Sequence, residues 1–87
     1  MPMDELIGEH VFIRTVTNYY TGLLADAGNG WLKLNDAAWV ADTGGFAEAL
    51  ATGELSEVEP YPGTCYVAIG AIVDVCEWTH SLPRSRR

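Results

Sequence analysis

Residues 19–40 read Tyr19-Tyr20-Thr21-Gly22-Leu23-Leu24-Ala25-Asp26-Ala27-Gly28-Asn29-Gly30-Trp31-Leu32-Lys33-Leu34-Asn35-Asp36-Ala37-Ala38-Trp39-Val40, and the fold turns on how this stretch doubles back. Asn29-Gly30 can take positive φ, which a tight hairpin turn requires. After the turn, Leu32 and Leu34 alternate with Lys33 and Asn35, placing the leucines inward and the polar residues towards water. Before it, residues 19–25 make the partner strand, and Gly22 within them marks a bend or a close backbone approach. The reading is a second and third strand joined in a sharply curved hairpin.

Upstream of the hairpin, His10-Val11-Phe12-Ile13-Arg14-Thr15-Val16-Thr17 is rich in β-branched and aromatic residues, with Val11 and Ile13 on one face and Phe12, Arg14 and Val16 on the other. That is the first strand. Residues 3–6 precede it as one helical turn ending at Gly8, with Leu6 and Ile7 available as a lid. Beyond the hairpin, Asp42-Thr43-Gly44-Gly45 is loop-like, and residues 46–52 fit a two-turn helix with Phe46 and Leu50 at i, i+4 and Gly53 as its stop. Glu54, Glu57 and Glu59 then read as an acidic, solvated linker, before Pro60, Pro62 and Gly63 enforce a turn. Two short strands follow, 64–69 and 71–78, hinged at Gly70. Leu82-Pro83 closes the ordered part.

The expected fold is therefore mostly all-β: a small, five-stranded, strongly bent barrel with a short N-terminal helix and a short helix inserted between strands three and four. Length sets one domain over residues 1–83, since the 87-residue chain is too short for two cores. Residues 84–87, Arg84-Ser85-Arg86-Arg87, form a basic tail. Arg14 and Lys33 are the only basic residues before it, so the body sets two cations against all twelve acids and carries −10 while the tail carries +3. Hydrophobic residues at 48 % argue for a packed core completed by self-association. No apolar run approaches the roughly 18 residues that span a bilayer, and the start lacks a signal-peptide pattern. A soluble, cytoplasmic protein is expected. An acidic body also lacks the basic face of a general nucleic-acid binder.

The order of residues resembles the Sm-like superfamily, the ring-forming proteins that include the Sm and LSm proteins. Asp4-Glu5-Leu6-Ile7-Gly8 running into Val11-Phe12-Ile13 resembles the family's N-terminal helix and first strand. Tyr20-Thr21-Gly22-Leu23-Leu24 is similar to its glycine-containing second strand, and Trp31-Leu32-Lys33-Leu34-Asn35-Asp36-Ala37 to its third. Tyr66-Val67-Ala68-Ile69-Gly70-Ala71-Ile72 resembles its second motif, where two short strands meet at a glycine. Ala38-Trp39-Val40-Ala41-Asp42-Thr43-Gly44-Gly45-Phe46 also looks like a group of small uncharacterised proteins of bacteriophages and their hosts.

The resemblance implies a closed homo-oligomeric ring in which strand four of one subunit pairs with strand five of the next, removing two exposed edges. RNA-binding members grip bases and phosphates with an Asn-centred triplet before strand three and an Arg-Gly pair at the last corner. Here those positions hold Trp31, with Asn29 nearby, and Ile69 before Gly70. The arginine is missing, so RNA ranks behind other ligands, although a base could stack on Trp31 while Asn29 reads its edge.

No enzyme is expected. Cys65, Cys76, His10 and His80 lack metal-ligand spacing, so reduced core thiols and surface histidines explain them, and neither metal nor cofactor is expected. Asp42 and Thr43, ahead of the inserted helix, offer either a helix cap or a loop with N–H groups for an anion. Arg14 is either a salt-bridge partner or an anion hook. Trp31, Trp39 and Trp78 are core, interface or stacking surfaces, with Trp39 placed under the inserted helix against Phe46. The functional expectation is a non-enzymatic ring that sequesters a small nucleotide-type ligand between subunits through Arg14, Asn29, Trp31, Trp39, Asp42, Thr43 and Trp78. The alternative is a protein-interaction or virion scaffold module with an acidic surface. Arg84, Arg86 and Arg87 are expected to serve assembly by reaching a neighbour's Glu54 to Glu59 segment.

Overall fold

A computed structural model describes residues 2–86, so Arg87 lies outside the described residues. A 3-10 turn at Pro2–Leu6 leads into β1 (His10–Thr15), β2 (Tyr19–Gly28) and β3 (Trp31–Asp42); α1 (Phe46–Thr52), β4 (Glu57–Pro60), β5 (Cys65–Ala68), a second 3-10 turn at Ile69–Ala71 and β6 (Ile72–Glu77) complete the chain. All pairings are antiparallel, in the order β4-β3-β2-β1-β6, with β5 also on β3. No helix among the described residues is long and apolar enough to cross a membrane.

The hairpin forms as its sequence demands. Asn29 and Gly30 both hold positive φ, 53° and 82°, and Leu32 and Leu34 are fully buried beside half-exposed Lys33 and Asn35. The bend comes from a bulge. Between the pairs Thr21↔Ala38 and Leu23↔Asn35, Gly22 alone opposes both Asp36 and Ala37. Asp36 takes a left-handed φ of 50°, and β2 and β3 approach so closely that a Cβ on Gly22 would lie 3.1 Å from the Leu34 Cβ. This corner divides β3 in two: residues 31–34 pair with β5 and residues 38–42 with β4. A straight strand could not serve both on the same side.

Residues 54–59 correct the expectation of a solvated linker. The five expected strands are present as β1, β2, β3, β5 and β6, and β4 is a sixth, because Val58 alternates with Glu57 and Glu59 and buries itself against Val40. Three glutamates disguised a half-buried edge strand of period two. The hinge at Gly70 is a 3-10 turn at ordinary φ, and the last strand stops at Glu77, one residue before Trp78.

The sheet carries a core on each face. Val11, Ile13, Leu24, Leu32, Leu34, Ala37 and Val67 fill the inside of the curl, where Met3 and Leu6 close one end; Ile7 stays exposed. Phe12, Val40, Ala49, Leu55, Val58, Trp78 and Leu82 form a second core on the outer face. Burial on both faces explains why Val11, Phe12 and Ile13 are buried consecutively. Helix α1 and the segment after β6 supply the outer cover. The Trp78 N–H donates to the His10 carbonyl at 2.8 Å, the Trp78 indole N–H donates to Ser81 O, and a His80 ring nitrogen sits 2.8 Å from Leu50 O.

Beneath this cover, among the described residues, the Thr21 hydroxyl is fully buried with no hydrogen-bond partner. Leaving a hydroxyl unpaired costs about 1–3 kcal/mol, so Thr21→Val should stabilise the fold by about 1 kcal/mol. Urea denaturation with an unchanged slope measures it; a less stable variant would show that the hydroxyl has a partner in solution.

Candidate functional site

Two turns meet at one end of the curl. The Ile69 N–H donates to the Gly30 carbonyl at 2.9 Å, which holds the Asn29-Gly30 hairpin tip against the 3-10 turn at Ile69–Ala71. Trp31 leaves this corner 50 % exposed, and Tyr66, 57 % exposed, stands one register pair along on the same face, because Trp31 pairs with Ala68 and Lys33 with Tyr66. Asn29 is exposed at the tip. The corner thus offers two aromatic surfaces and one amide, with Lys33 as the nearby cation and Asp26 opposite it across β2.

The remaining candidates do not join Asn29 and Trp31. Arg14 donates from Nε to Asp74 Oδ2 at 3.1 Å and forms a second contact through Nη2. The hydrogen bond and the charge of Asp74 push the Arg14 pKa up, and its guanidinium lies 5.6 Å over the Phe46 ring. Arg14 is therefore already engaged as an ion-pair partner. Trp78 is only 3 % exposed and stacks on Phe12 at 5.3 Å, so the idea that it is a ligand platform is corrected: it is core.

Trp39 is corrected too. Phe46 packs on Phe12 and Tyr19, at 6.1 and 6.3 Å, whereas Trp39 lies on the other face in a cleft with Glu59, Pro60 and Tyr61. Side chains alternate along β3, and Val40 is the residue that faces the helix.

Asp42 Oδ1 accepts the Gly44 N–H at 2.8 Å. Gly45 is the N-cap of α1 and no side chain caps the helix, so neither Asp42 nor Thr43 caps it. Thr43 is buried. Glu48 and Glu54 flank the same hollow, and two carboxylates repel an anion at this loop.

Cys65 and Cys76 are free thiols. Cys65 is half-buried, while Cys76 is exposed, which corrects its placement in the core: β6 turns that residue outward opposite Phe12. Partial desolvation pushes both thiols up, with the charge of Asp74 adding to it at Cys76, away from the reactive thiolate. Tyr61 is pushed up to about 12, chiefly by burial, with Cys65 and Tyr20 beside it. No group of three His, Cys, Asp or Glu side chains able to hold a metal occurs among the described residues.

The expected tail residues find carboxylates within the same chain. Arg84 Nη1 lies 3.7 Å from Asp36 Oδ1, and Arg86 Nε 3.2 Å from Glu59 Oε1. Sequence reading missed the Trp39–Tyr61 cleft because its floor depends on β4. The alternation of Val58 between glutamates was the available signal.

No protein-family model matches the chain, and no curated protein matches it. Among solved structures, the chain is similar to a heptameric archaeal Sm protein, at 18 % identity and a TM-score of 0.60, over 87 % of this chain and 94 % of that one. With a bent third strand, a glycine-centred second strand and two short strands meeting at a turn, the chain has the Sm-like fold: a small bent barrel, here with a helix inserted after its third strand.

Proposed function

We propose that the chain is a non-enzymatic, ring-forming binding protein whose copies join by pairing β5 of one with β6 of the next. The observation that carries this reading is the state of the edges. β5 pairs with β3 alone and β6 with β1 alone among the described residues, leaving one edge of each open, with Tyr66 and Val73 more than half exposed on them. The remaining free edge, β4, is guarded by Glu57, Glu59 and Pro60, the devices that block strand addition to like copies. The heptameric state of the archaeal Sm protein supports a closed ring.

The ring's ligand is a small nucleotide-type molecule held between copies at the corner of Asn29, Trp31 and the Ile69–Ala71 turn. Exposed aromatic surface without a basic groove favours a single stacked base over a long polyanion. The second reading, an acidic protein-interaction or scaffold surface, rests on the charge of the body, and RNA comes third. The Ala38–Phe46 likeness supports a phage or prophage origin.

Sedimentation velocity and native mass spectrometry test the ring. The wild type is expected at one discrete mass of several copies. The double variant Tyr66→Asp/Val73→Asp, which alters only exposed side chains, is expected to be monomeric and folded. A wild type that is monomeric at about 50 μM would overturn the reading, because a built interface of standard size associates well below that concentration. Calorimetry against mono-, di- and cyclic nucleotides tests the ligand separately; no heat at about 1 mM, beyond the range of weak specific binding, removes the nucleotide and leaves the ring.

A further inference from the structure

The cleft along the β4 edge has a chemistry of its own. Trp39 pairs with Tyr20 on one side and with Glu59 on the other, so one row of the sheet ends in a carboxylate beside an indole. Tyr61 closes the cleft and stacks on Tyr20 at 6.4 Å. A carboxylate next to flat aromatic faces suits a guanidinium, which is planar and weakly hydrated and presents a fork of N–H donors; an ammonium lacks the plane and the fork. The chain itself supplies an example at the mouth of the cleft, where Arg86 contacts Glu59 while Arg84 contacts Asp36. Those arginine side chains remain 74 % and 81 % exposed for Arg84 and Arg86, so the contacts are weak and readily displaced.

We propose that the β4 edge, read through Trp39, Glu59 and Tyr61, docks an arginine-bearing extended segment of a partner protein, and that the chain's own arginine tail occupies this edge in cis as a weak competitor. The charge of the molecule favours such a partner: the two tail contacts engage two of twelve acidic residues, leaving a body that attracts cations at long range. The open backbone of β4 accommodates an extended chain by strand addition. The glutamates that repel a second acidic copy attract a cationic segment, and Pro60, which has no N–H to donate, confines strand addition to residues 57–59. The docking edge is separate from β5 and β6, so this inference stands apart from ring assembly.

The test compares the full chain with one ending at Pro83, which keeps the buried Leu82 and removes only residues 84–87. The probe is a blocked Arg-Ser-Arg-Arg peptide at low salt, followed by calorimetry and by NMR of the three indole N–H groups. The shortened chain is expected to bind roughly three- to fivefold more tightly than the full chain, the gain from removing weak exposed ion pairs. Glu59→Gln in the shortened chain is expected to weaken binding about tenfold, the loss of one charged hydrogen bond. The Trp39 indole should shift while those of Trp31 and Trp78 stay in place, and a Lys-Ser-Lys-Lys peptide should bind more weakly. Equal affinity of the two chains, an unmoved Trp39, an unaffected Glu59→Gln variant or equal binding of the lysine peptide would each overturn the proposal. So would a loss of oligomer mass on removing the tail, which would place the arginines on a neighbouring copy.

Discussion

Phe12→Ala should cost about 4 kcal/mol, a large share of the roughly 5–15 kcal/mol that holds a small domain together. Phe12 is 1 % exposed and is the centre of the outer core, stacked between Tyr19 at 5.4 Å and Trp78 at 5.3 Å, with Phe46 at 6.1 Å. Truncation leaves a cavity whose walls come from β1, β2, the inserted helix and the segment after β6, and these cannot collapse together without moving backbone. The stacking geometry is lost as well. The measurement is the urea midpoint of the variant beside that of Val11→Ala, a smaller deletion from the inner core. If Phe12→Ala cost less than Val11→Ala, the outer cover would be loosely attached decoration and the two-core description would fail.

Gly22→Val is expected to destabilise by about 3 kcal/mol, at the upper end of what overpacking costs. A Cβ there meets the Leu34 Cβ at 3.1 Å and the Ala37 Cα and Asn35 O at 3.3 Å, and two of those neighbours are backbone that cannot step aside. The branched methyls must then push β2 from β3 at the corner where β3 changes partner. Gly28→Ala is the control. A Cβ at Gly28 meets nothing within 4 Å and its φ is not positive, so this change should be neutral or slightly stabilising by reducing the freedom of the unfolded chain. Thermal melts decide the matter, and equal melting temperatures for the two variants would mean that the bend does not depend on Gly22.

How legible these features were depends on the range of the interaction. The hairpin at Asn29-Gly30, the inward leucines of β3, the helix stop at Gly53 (φ 81°) and the tightness at Gly22 are local consequences of turn chemistry and period-two patterning, and all can be read along the chain. Val11, Phe12 and Ile13 showed which residues faced which side, but a run buried on both faces looks the same as one buried on a single face until its cover is known. Likewise, Glu57-Val58-Glu59 carried the alternation of a strand, yet whether Val58 found an apolar partner depended on Val40 being presented by the far half of a bent β3.

The candidate site was less legible. Arg14 faced two readings, and the choice fell to Asp74, sixty residues away in the chain. Trp39 and Trp78 look alike as isolated tryptophans; one lines an open cleft and the other is stacked in the core because parity along β3 and the path after β6 send them to different places. Cys76 reads as a small apolar residue, but on β6 it is left exposed although its cross-strand partner Phe12 is buried.

By itself the sequence determined a small β-rich chain with a tight central hairpin, a bend at Gly22, a short helix before Gly53 and a strong segregation of acidic body from basic tail. These follow from backbone sterics, from the alternation of side chains along a strand and from counting charges, none of which needs a distant partner. Only the tertiary structure decided that both faces of the sheet are buried, that Glu57–Pro60 is a strand and that Arg86 rests on Glu59 beside an aromatic cleft. Each of these is a pairing between segments far apart in the chain, where the energy comes from removing apolar surface or charge from water jointly, and neither partner alone specifies the other.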